Sequence, residues 1–198
     1  MINNKNKYKR YTDETLMKRI GKGNIPAFDE LYNRYSKRLL YYFYRMLSGD
    51  EEKAQDFLQD LFLKLVEKAA LFDPVKNFSS WIFTIAFNMC KNEYRNRKVR
   101  NIFDKNYDPD SFTAHTANDP FIAEKKLDQE FFKNAILLEL DKLDEKQRST
   151  FLLKYQENFT IKEISNILGC SEGTTKSRLF YTTKKLADRL KLFDLNYS

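Results

Sequence analysis

The side chains suited to metal binding or covalent catalysis are few and scattered. The chain has one histidine, His115, and two cysteines, Cys90 and Cys170, which do not form a Cys-x-x-Cys zinc pair. Gly21-Lys22-Gly23 is not a phosphate-binding loop. The many acidic residues follow the spacing of solvated helix faces. We therefore expect no catalytic residues, no metal, no cofactor and no small-molecule substrate. An enzyme is the weakest hypothesis, which a nuclease assay with magnesium would test.

The charged residues, in contrast, are grouped along the chain. There are 35 Lys and Arg against 28 Asp and Glu, a formal net charge of +7. The segment 91–103 carries 5 − 1 = +4, the segment 171–192 carries 6 − 2 = +4, and the segment 104–130 between them carries 3 − 7 = −4. This pattern favours a polyanion as partner, either nucleic acid or an acidic membrane face. A solvated basic surface is the alternative.

The elements that would position these charges are helices. Only five Gly and four Pro interrupt the chain, and 42% of its residues are hydrophobic, so a packed helical core is expected. Turn-forming residues and the loss of apolar periodicity mark 104–120 as an acidic linker. The sequence thus predicts an all-α fold of two small helical domains, 1–103 and 121–198, the second with a helix-turn-helix.

Capping residues predict where the helices begin and end. The predicted starts are Thr12, Pro26 and Asp50, then Ser79 or Ser80, Phe121, Asp144, Thr160 and Ser171. Gly21, Gly49 and Gly169 are predicted ends. The helix from Asp50 should reach about Leu71 before Asp73-Pro74 interrupts it, and the helix from Ser79 or Ser80 should reach about Arg100.

The segment 160–179 has the pattern of a helix-turn-helix. Thr160 and Glu163 form a capping box, Gly169 lies in the turn, and Ser165 and Thr175 supply small and β-branched core positions. The second helix presents side chains suited to the major groove: Lys176, Ser177, Phe180, Tyr181 and Lys184. Arg178 and Lys184 should lie nearer the phosphates. The alternatives are an ordinary helical hairpin with a basic solvated face, and packing of Phe180 and Tyr181 on the neighbouring helix.

Residues in both domains resemble those of one protein family. The stretch IKEISNILGCSEGTTKSRLFYTTKKL, from Ile161, resembles the promoter-recognition domain of bacterial sigma factors. The string DFLQDLF, from Asp56, is similar to the helix that binds the polymerase core. The stretch FSSWIFTIAFNMCKN, from Phe78, is similar to the helix beneath the promoter-melting loop. With two domains and a short linker, the chain resembles an extracytoplasmic-function (ECF) sigma factor over roughly residues 12–192.

The resemblance implies a role for each surface. Contacts with the RNA polymerase core are implied for Asp56, Gln59 and Asp60. Contacts with melted or upstream promoter DNA are implied for Phe72, Asn88, Lys91, Arg95, Arg97 and Lys98. Contacts with the upstream promoter element are implied for Lys176, Ser177, Arg178, Phe180, Tyr181 and Lys184. Phe72 could equally belong to the core, and Trp81 is expected there. Family members are typically held inactive by an anti-sigma factor, often membrane-bound.

This sequence departs from the family pattern at a few positions. Ser165 and Thr175 replace the usual Ala and Val at nearly constant size, so the fold should be unaffected. Tyr181 and Thr183 stand where the family usually has Arg, which bears on the promoter sequence preferred.

A stand-alone helix-turn-helix repressor or activator is the alternative function. Such proteins usually bind as dimers, but the chain shows no extended heptad seam and has a second basic domain. No signal peptide is evident, the apolar stretches are too short to span a bilayer, and the cysteines suit a reducing compartment. We therefore expect a cytoplasmic protein.

Overall fold

The computed structural model describes residues 5–103 and 135–194, and every regular element in these two ranges is a helix. The all-α prediction is confirmed. The N-terminal half contains α1 (Lys5–Tyr8), α2 (Asp13–Ile20), α3 (Ile25–Met46), α4 (Glu51–Glu67), a 3₁₀ helix (Ala69–Leu71) and α5 (Phe78–Phe103). The C-terminal half contains α6 (135–141), α7 (Glu145–Tyr155), α8 (Ile161–Leu168) and α9 (Glu172–Asp194). The predicted linker 104–120 with His115, and the predicted start of the next helix at Phe121, lie outside the described residues.

Side-chain caps fix the helix starts largely where the sequence predicts them. The Asp50 carboxylate accepts a hydrogen bond from the Lys53 backbone N–H at 3.0 Å, and Asp144 accepts one from Gln147 at 2.7 Å. Thr12 caps α2 in the same way. Each cap satisfies an N–H group that has no carbonyl partner within its helix, which stabilises the first turn by about 1 kcal/mol.

The junction between α4 and α5 differs from the prediction. Helix α4 ends at Glu67 rather than near Leu71, and the short 3₁₀ helix follows it. Asn77, not Ser79 or Ser80, caps α5 by accepting a hydrogen bond from the Ser80 N–H at 2.8 Å. The predicted break at Asp73-Pro74 is confirmed, because the Asp73 side chain there closes a tight turn with the Val75 N–H at 3.0 Å.

The turn after α3 has an unusual backbone. Ser48 and Gly49 both adopt left-handed conformations, with φ of 63° and 82°. Glycine adopts this conformation at little cost, whereas a serine there is uncommon. Just before this turn, the Arg45 and Met46 carbonyls accept hydrogen bonds from Arg148 of the C-terminal half.

Aromatic residues dominate the core of the N-terminal half. Phe43 packs edge-to-face on Phe57 of α4, and Tyr42 packs edge-to-face on Phe83 of α5. Helix α5 is therefore held against α3, and it also packs against α4 and against α8 of the C-terminal half. Phe83 also contacts Phe159 of the C-terminal half, with ring centroids 5.2 Å apart.

Candidate functional site

Helices α8 and α9 form the helix-turn-helix that the sequence predicts. The Thr160 hydroxyl accepts a hydrogen bond from the Glu163 N–H at 3.2 Å, and the Glu163 carboxylate accepts one from the Thr160 N–H at 2.8 Å. Gly169 ends α8 in a left-handed conformation with φ of 63°. The Ser171 hydroxyl then caps α9 through the Thr174 N–H at 3.1 Å. The two helices are thus oriented by local bonds at both sides of the turn.

The small side chains inside this motif are buried as predicted. Ser165 is 5% exposed and its hydroxyl donates back to the Lys162 carbonyl at 2.7 Å. Thr175 is fully buried, and its hydroxyl donates to the Ser171 carbonyl at 3.1 Å. Each hydroxyl donates a hydrogen bond to a backbone carbonyl. Replacing the family's usual Ala and Val by Ser165 and Thr175 therefore leaves no buried hydroxyl without a partner at these two positions.

The outer face of α9 carries exposed aromatic and basic side chains. Phe180 and Tyr181 are each 64% exposed, with their rings edge-to-face at 5.4 Å. The alternative in which they pack on a neighbouring helix is therefore not what the structure shows. Lys176, Ser177 and Lys184 are exposed beside them, whereas Arg178 is half-buried next to the Cys170 sulfur at 3.7 Å.

A second basic surface lies on α5, and it differs in one residue from the predicted set. Asn88, Lys91, Arg95 and Lys98 are exposed and fall within an arc of about 80° at 3.6 residues per turn. Arg97 points to the opposite side of the helix, where it donates to the Glu93 carboxylate at 3.1 Å. Arg97 is therefore separated from the other basic residues of this surface.

On the side of α5 that carries Arg97, Glu93 is the shared partner of three cationic side chains. It forms ion pairs with Lys53 of α4, with Arg97, and with Arg100 at 3.0 Å. Partial burial raises the pKa of Glu93, but the ion pairs to Lys53 and Arg97 outweigh it and hold the pKa below its ordinary value. This cluster fastens α5 to α4.

Phe72 belongs to the core, one of the two roles that the sequence left open. Its side chain is 9% exposed and lies edge-to-face with Phe78 at 5.8 Å and with Trp81 at 5.1 Å. Trp81 packs against the core as expected. Because the Phe72 ring is enclosed by these aromatics, it supports the loop at 73–77 and has little surface to offer a base.

The third surface lies on α4 and combines acidic with apolar side chains. Asp56, Gln59 and Asp60 are exposed, whereas Ala54, Leu58, Leu61 and Leu65 are buried, as the helical spacing predicts. Sequence analysis missed two residues here: Leu63 is 56% exposed and Val66 is 49% exposed. At 3.6 residues per turn Leu63 falls between Gln59 and Asp60, in the middle of the acidic face. An apolar residue interrupting a polar arc was the signal that could have identified it.

Three further observations concern metals, membranes and the cysteines. Among the residues that the structure describes, no group of three His, Cys, Asp or Glu side chains is placed to hold a metal ion. None of the described helices is long and apolar enough to cross a membrane. Cys90 and Cys170 are both free thiols, and burial raises the pKa of Cys90.

The fold and its surfaces define a helical DNA-binding protein with a helix-turn-helix in its C-terminal half and further exposed surfaces in its N-terminal half. Comparison with known proteins then identifies the family. The model of Sigma-70 region 2 matches residues 31–100, and the model of Sigma-70 region 4 matches residues 133–186. The ECF sigma factor EcfG of Rhodopseudomonas palustris is 32% identical over 71% of this chain and 73% of its own. SigW of Bacillus subtilis is 27% identical over 88% of this chain and 95% of its own.

A solved structure agrees with the fold. The sigma factor RpoE of Bartonella quintana, in complex with the anti-sigma factor NepR, superimposes with a TM-score of 0.67 at 24% identity, over 83% of this chain and 96% of its own. The chain belongs to the ECF sigma factors. It is a subunit that binds core RNA polymerase and directs promoter recognition, DNA opening and transcription initiation. That function decides against the stand-alone repressor or activator.

Proposed function

We propose that the three exposed surfaces divide the work of a sigma factor between them. The N-terminal domain, residues 1–103, binds the core polymerase through α4 and opens promoter DNA along α5. The C-terminal domain, residues 121–198, recognises the upstream promoter element through α9, and 104–120 connects the two. The separation of the acidic-apolar surface from the two basic surfaces supports this division, because a basic face suits phosphates and an acidic-apolar face suits protein.

Recognition of the upstream element is assigned to the exposed face of α9. Lys176 and Ser177 face base edges, and Lys184 binds phosphate. The observation that best supports this assignment is that Phe180 and Tyr181 are each 64% exposed and lie next to basic residues. Aromatic side chains with this exposure have no role in the core, whereas their rings can contact thymine methyl groups in the major groove. Arg178, half-buried beside Cys170, lies at the margin of this face and reaches phosphate rather than bases.

Promoter opening is assigned to the exposed face of α5. Removing a base from the stacked duplex costs a few kcal/mol, so the protein must supply compensating contacts. Asn88 offers an amide that can hydrogen-bond a base edge. Lys91, Arg95 and Lys98 follow it along the same face and are placed to bind the phosphates of the adjoining strand. Phe72 and Arg97, predicted from the resemblance to take part, act here as structural supports.

Core binding is assigned to the exposed face of α4. Asp56, Gln59 and Asp60 supply charge and hydrogen bonds, and Leu63 with Val66 supplies an apolar centre. An apolar centre with a polar rim is the usual composition of a protein–protein contact. Among the residues that the structure describes, Asp60 pairs with Lys64 alone, at a long 3.9 Å and with both side chains largely exposed, so its carboxylate can accept a basic partner.

We further propose that this factor acts in the cytoplasm, has no enzymatic activity of its own and is held inactive by an anti-sigma factor. Support for the last point comes from the relative RpoE, which was solved bound to the anti-sigma factor NepR. Affinity purification from cells, followed by identification of the bound proteins, would test it. Recovery of core polymerase without any small inhibitory partner under non-inducing conditions would contradict it.

The assignment of α9 is tested by selecting promoters from a randomised library with the reconstituted holoenzyme. Wild type and Tyr181→Arg should return different upstream elements at one base position, since a good base contact discriminates by about 1–3 kcal/mol. Lys37→Arg, an exposed change on α3, is the matched control and should return the wild-type element. If Tyr181→Arg also returns the wild-type element, this side chain does not contribute to promoter recognition.

A further inference from the structure

The N-terminal segment of the chain carries an excess of positive charge that none of the three surfaces described above includes. Residues 1–23 contain seven Lys and Arg against two acidic residues, 7 − 2 = +5, which exceeds the +4 of the segments 91–103 and 171–192. Such a charge suits a polyanion if the segment is held in place and its cations are not neutralised by neighbouring acids. Five of these cations are exposed, and we call them the N-terminal patch: Lys7, Lys9, Arg10, Lys18 and Lys22.

A single side chain of α3, Arg34, fixes the backbone of this segment. Its guanidinium donates hydrogen bonds to the carbonyls of Tyr11 at 3.0 Å, Lys9 at 3.1 Å and Tyr8 at 3.3 Å. The planar fork of a guanidinium can serve several acceptors at once, which the point charge of a lysine cannot do in the same geometry. These bonds use only the backbone of Lys9, and its side chain remains exposed.

Aromatic packing holds the same segment from its other side. Tyr8 and Tyr11 lie edge-to-face with ring centroids 5.8 Å apart, and both pack against the core. The Arg19 guanidinium of α2 lies 4.3 Å from the centroid of the Tyr11 ring, within the range of a cation–π contact. The segment is thus attached to both α2 and α3. Because its backbone is already ordered, a ligand that binds the patch does not have to order it.

The acidic residues nearest to the patch have partners inside the domain. Arg34 pairs with Asp13 at 2.7 Å and with Glu30 at 2.8 Å. Glu14 accepts a hydrogen bond from the Phe78 N–H at 3.1 Å. Within the described part of the chain, no cation of the patch forms an ion pair with an acidic side chain. A solvated surface usually mixes charges of both signs, whereas the exposed charges of this segment are all positive.

The patch adjoins the beginning of α5. The bond from Glu14 joins α2 to Phe78, the first residue of α5, and α2 also packs against α5 and the 3₁₀ helix. Asn88, to which the opening of DNA is assigned, follows Phe78 by ten residues, which is about 15 Å along a helix. The exposed basic side chains of α5 itself lie beyond Asn88, toward the other end of the helix: Lys91, Arg95 and Lys98. Positive charge therefore lies on both sides of Asn88.

We propose that the N-terminal patch binds phosphates of promoter DNA downstream of the opened base. The basic side chains of α5 follow the DNA upstream from Asn88, so the DNA that leaves Asn88 in the other direction passes the beginning of α5 and the patch. At 3.4 Å per nucleotide of one strand, 15 Å corresponds to about four nucleotides. The direction along the DNA rests on the proposed role of α5. The contacts are to phosphates, so they act on every promoter sequence alike.

The first test removes charge from the patch and leaves the bonds from Arg34 in place. Holoenzyme with Lys9→Ala and Arg10→Ala together should bind a promoter from the library selection about tenfold more weakly at about 0.1 M salt. The slope of log affinity against log salt should fall by about two, and by about one for each single variant. Lys146→Ala is the matched control, because Lys146 is exposed on α7 outside every assigned surface, and it should keep the wild-type slope.

The second test locates the contact on the DNA. Uncharged methylphosphonate linkages replace the phosphates of both strands from about four to about eight nucleotides downstream of the upstream edge of the melted region. Wild type should bind this DNA about tenfold more weakly than the unmodified promoter. The double variant should bind the two DNAs within about twofold of each other, because the charges that contact these phosphates are already absent.

Three results would overturn the proposal. Wild-type affinity and salt slope in the double variant would show that the patch is a solvated surface. A similar loss of affinity for core polymerase, titrated without DNA, would show that its partner is protein. Equal losses by wild type and double variant on the modified DNA would place its contacts elsewhere. The linkages are counted from the melted region, so these results do not depend on Asn88. The role of α5 fails separately if Asn88→Ala leaves DNA opening unchanged.

Discussion

Leu63 is the residue by which the proposed core-binding surface is most sharply tested. It lies in the middle of the acidic face of α4 with 56% of its surface exposed, so shortening it should hardly affect folding. Burying a whole leucine side chain is worth about 1.5–3 kcal/mol. The exposed part of Leu63 can therefore contribute about 1–1.5 kcal/mol to a complex. Leu63→Ala should weaken core binding by about fivefold to tenfold.

The measurement is a titration of labelled factor with core polymerase, followed by fluorescence anisotropy. Leu138→Ala is the matched control, because Leu138 is 49% exposed but lies on α6 in the other half. The control should bind like wild type, and both variants should keep the wild-type melting temperature within about 2 °C. If Leu63→Ala binds core within twofold of wild type, or if both variants lose affinity equally, α4 does not contact the polymerase through this face.

Three further predictions concern the two basic surfaces and the Glu93 ion pairs. Asn88→Ala should reduce permanganate reactivity of the melted promoter region without changing core affinity, and a wild-type footprint would exclude Asn88 from DNA opening. Lys184→Ala should weaken promoter binding on all sequences and lower the salt dependence by about one unit, whereas Lys176→Ala should change base preference. Glu93→Gln should lower the stability of the fold by about 1 kcal/mol at neutral pH. Because the pKa of Glu93 is lowered in the folded state, this difference should be full above about pH 4.3 and vanish as the pH falls through the folded pKa. Thermal unfolding across pH 3–7 would show no such convergence if the Glu93 ion pairs contribute nothing.

The elements set by local chemistry could be predicted from the sequence. Asp50, Asp144 and Thr160 cap helices where expected, because a capping side chain needs only the next three residues to act. Gly169 marks the turn of the helix-turn-helix for the same reason. The buried stripe of α4 follows from helical spacing alone.

Features set by tertiary packing could not be predicted in this way. Arg97 belongs to a run of basic residues, but its partner Glu93 and the neighbouring Lys53 become visible only when α5 is placed against α4. Phe72 is enclosed by Trp81 and Phe78, which the sequence alone leaves undecided. The contact of Arg148 with the end of α3 joins residues about 100 positions apart, and no periodic pattern signals it.

The outward position of Phe180 and Tyr181 has an evolutionary consequence. Side chains that rest on the surface of α9 contribute little to the free energy of unfolding, so most replacements there keep the domain folded. Thr175 and Ser165, which hold the motif together, lie on the opposite side and are independent of them. After gene duplication, two copies of this chain could therefore diverge in the promoters they select while retaining the same scaffold. The same independence allows a laboratory library at positions 176, 177, 180 and 181 to be screened for new specificities without prior stabilisation of the protein.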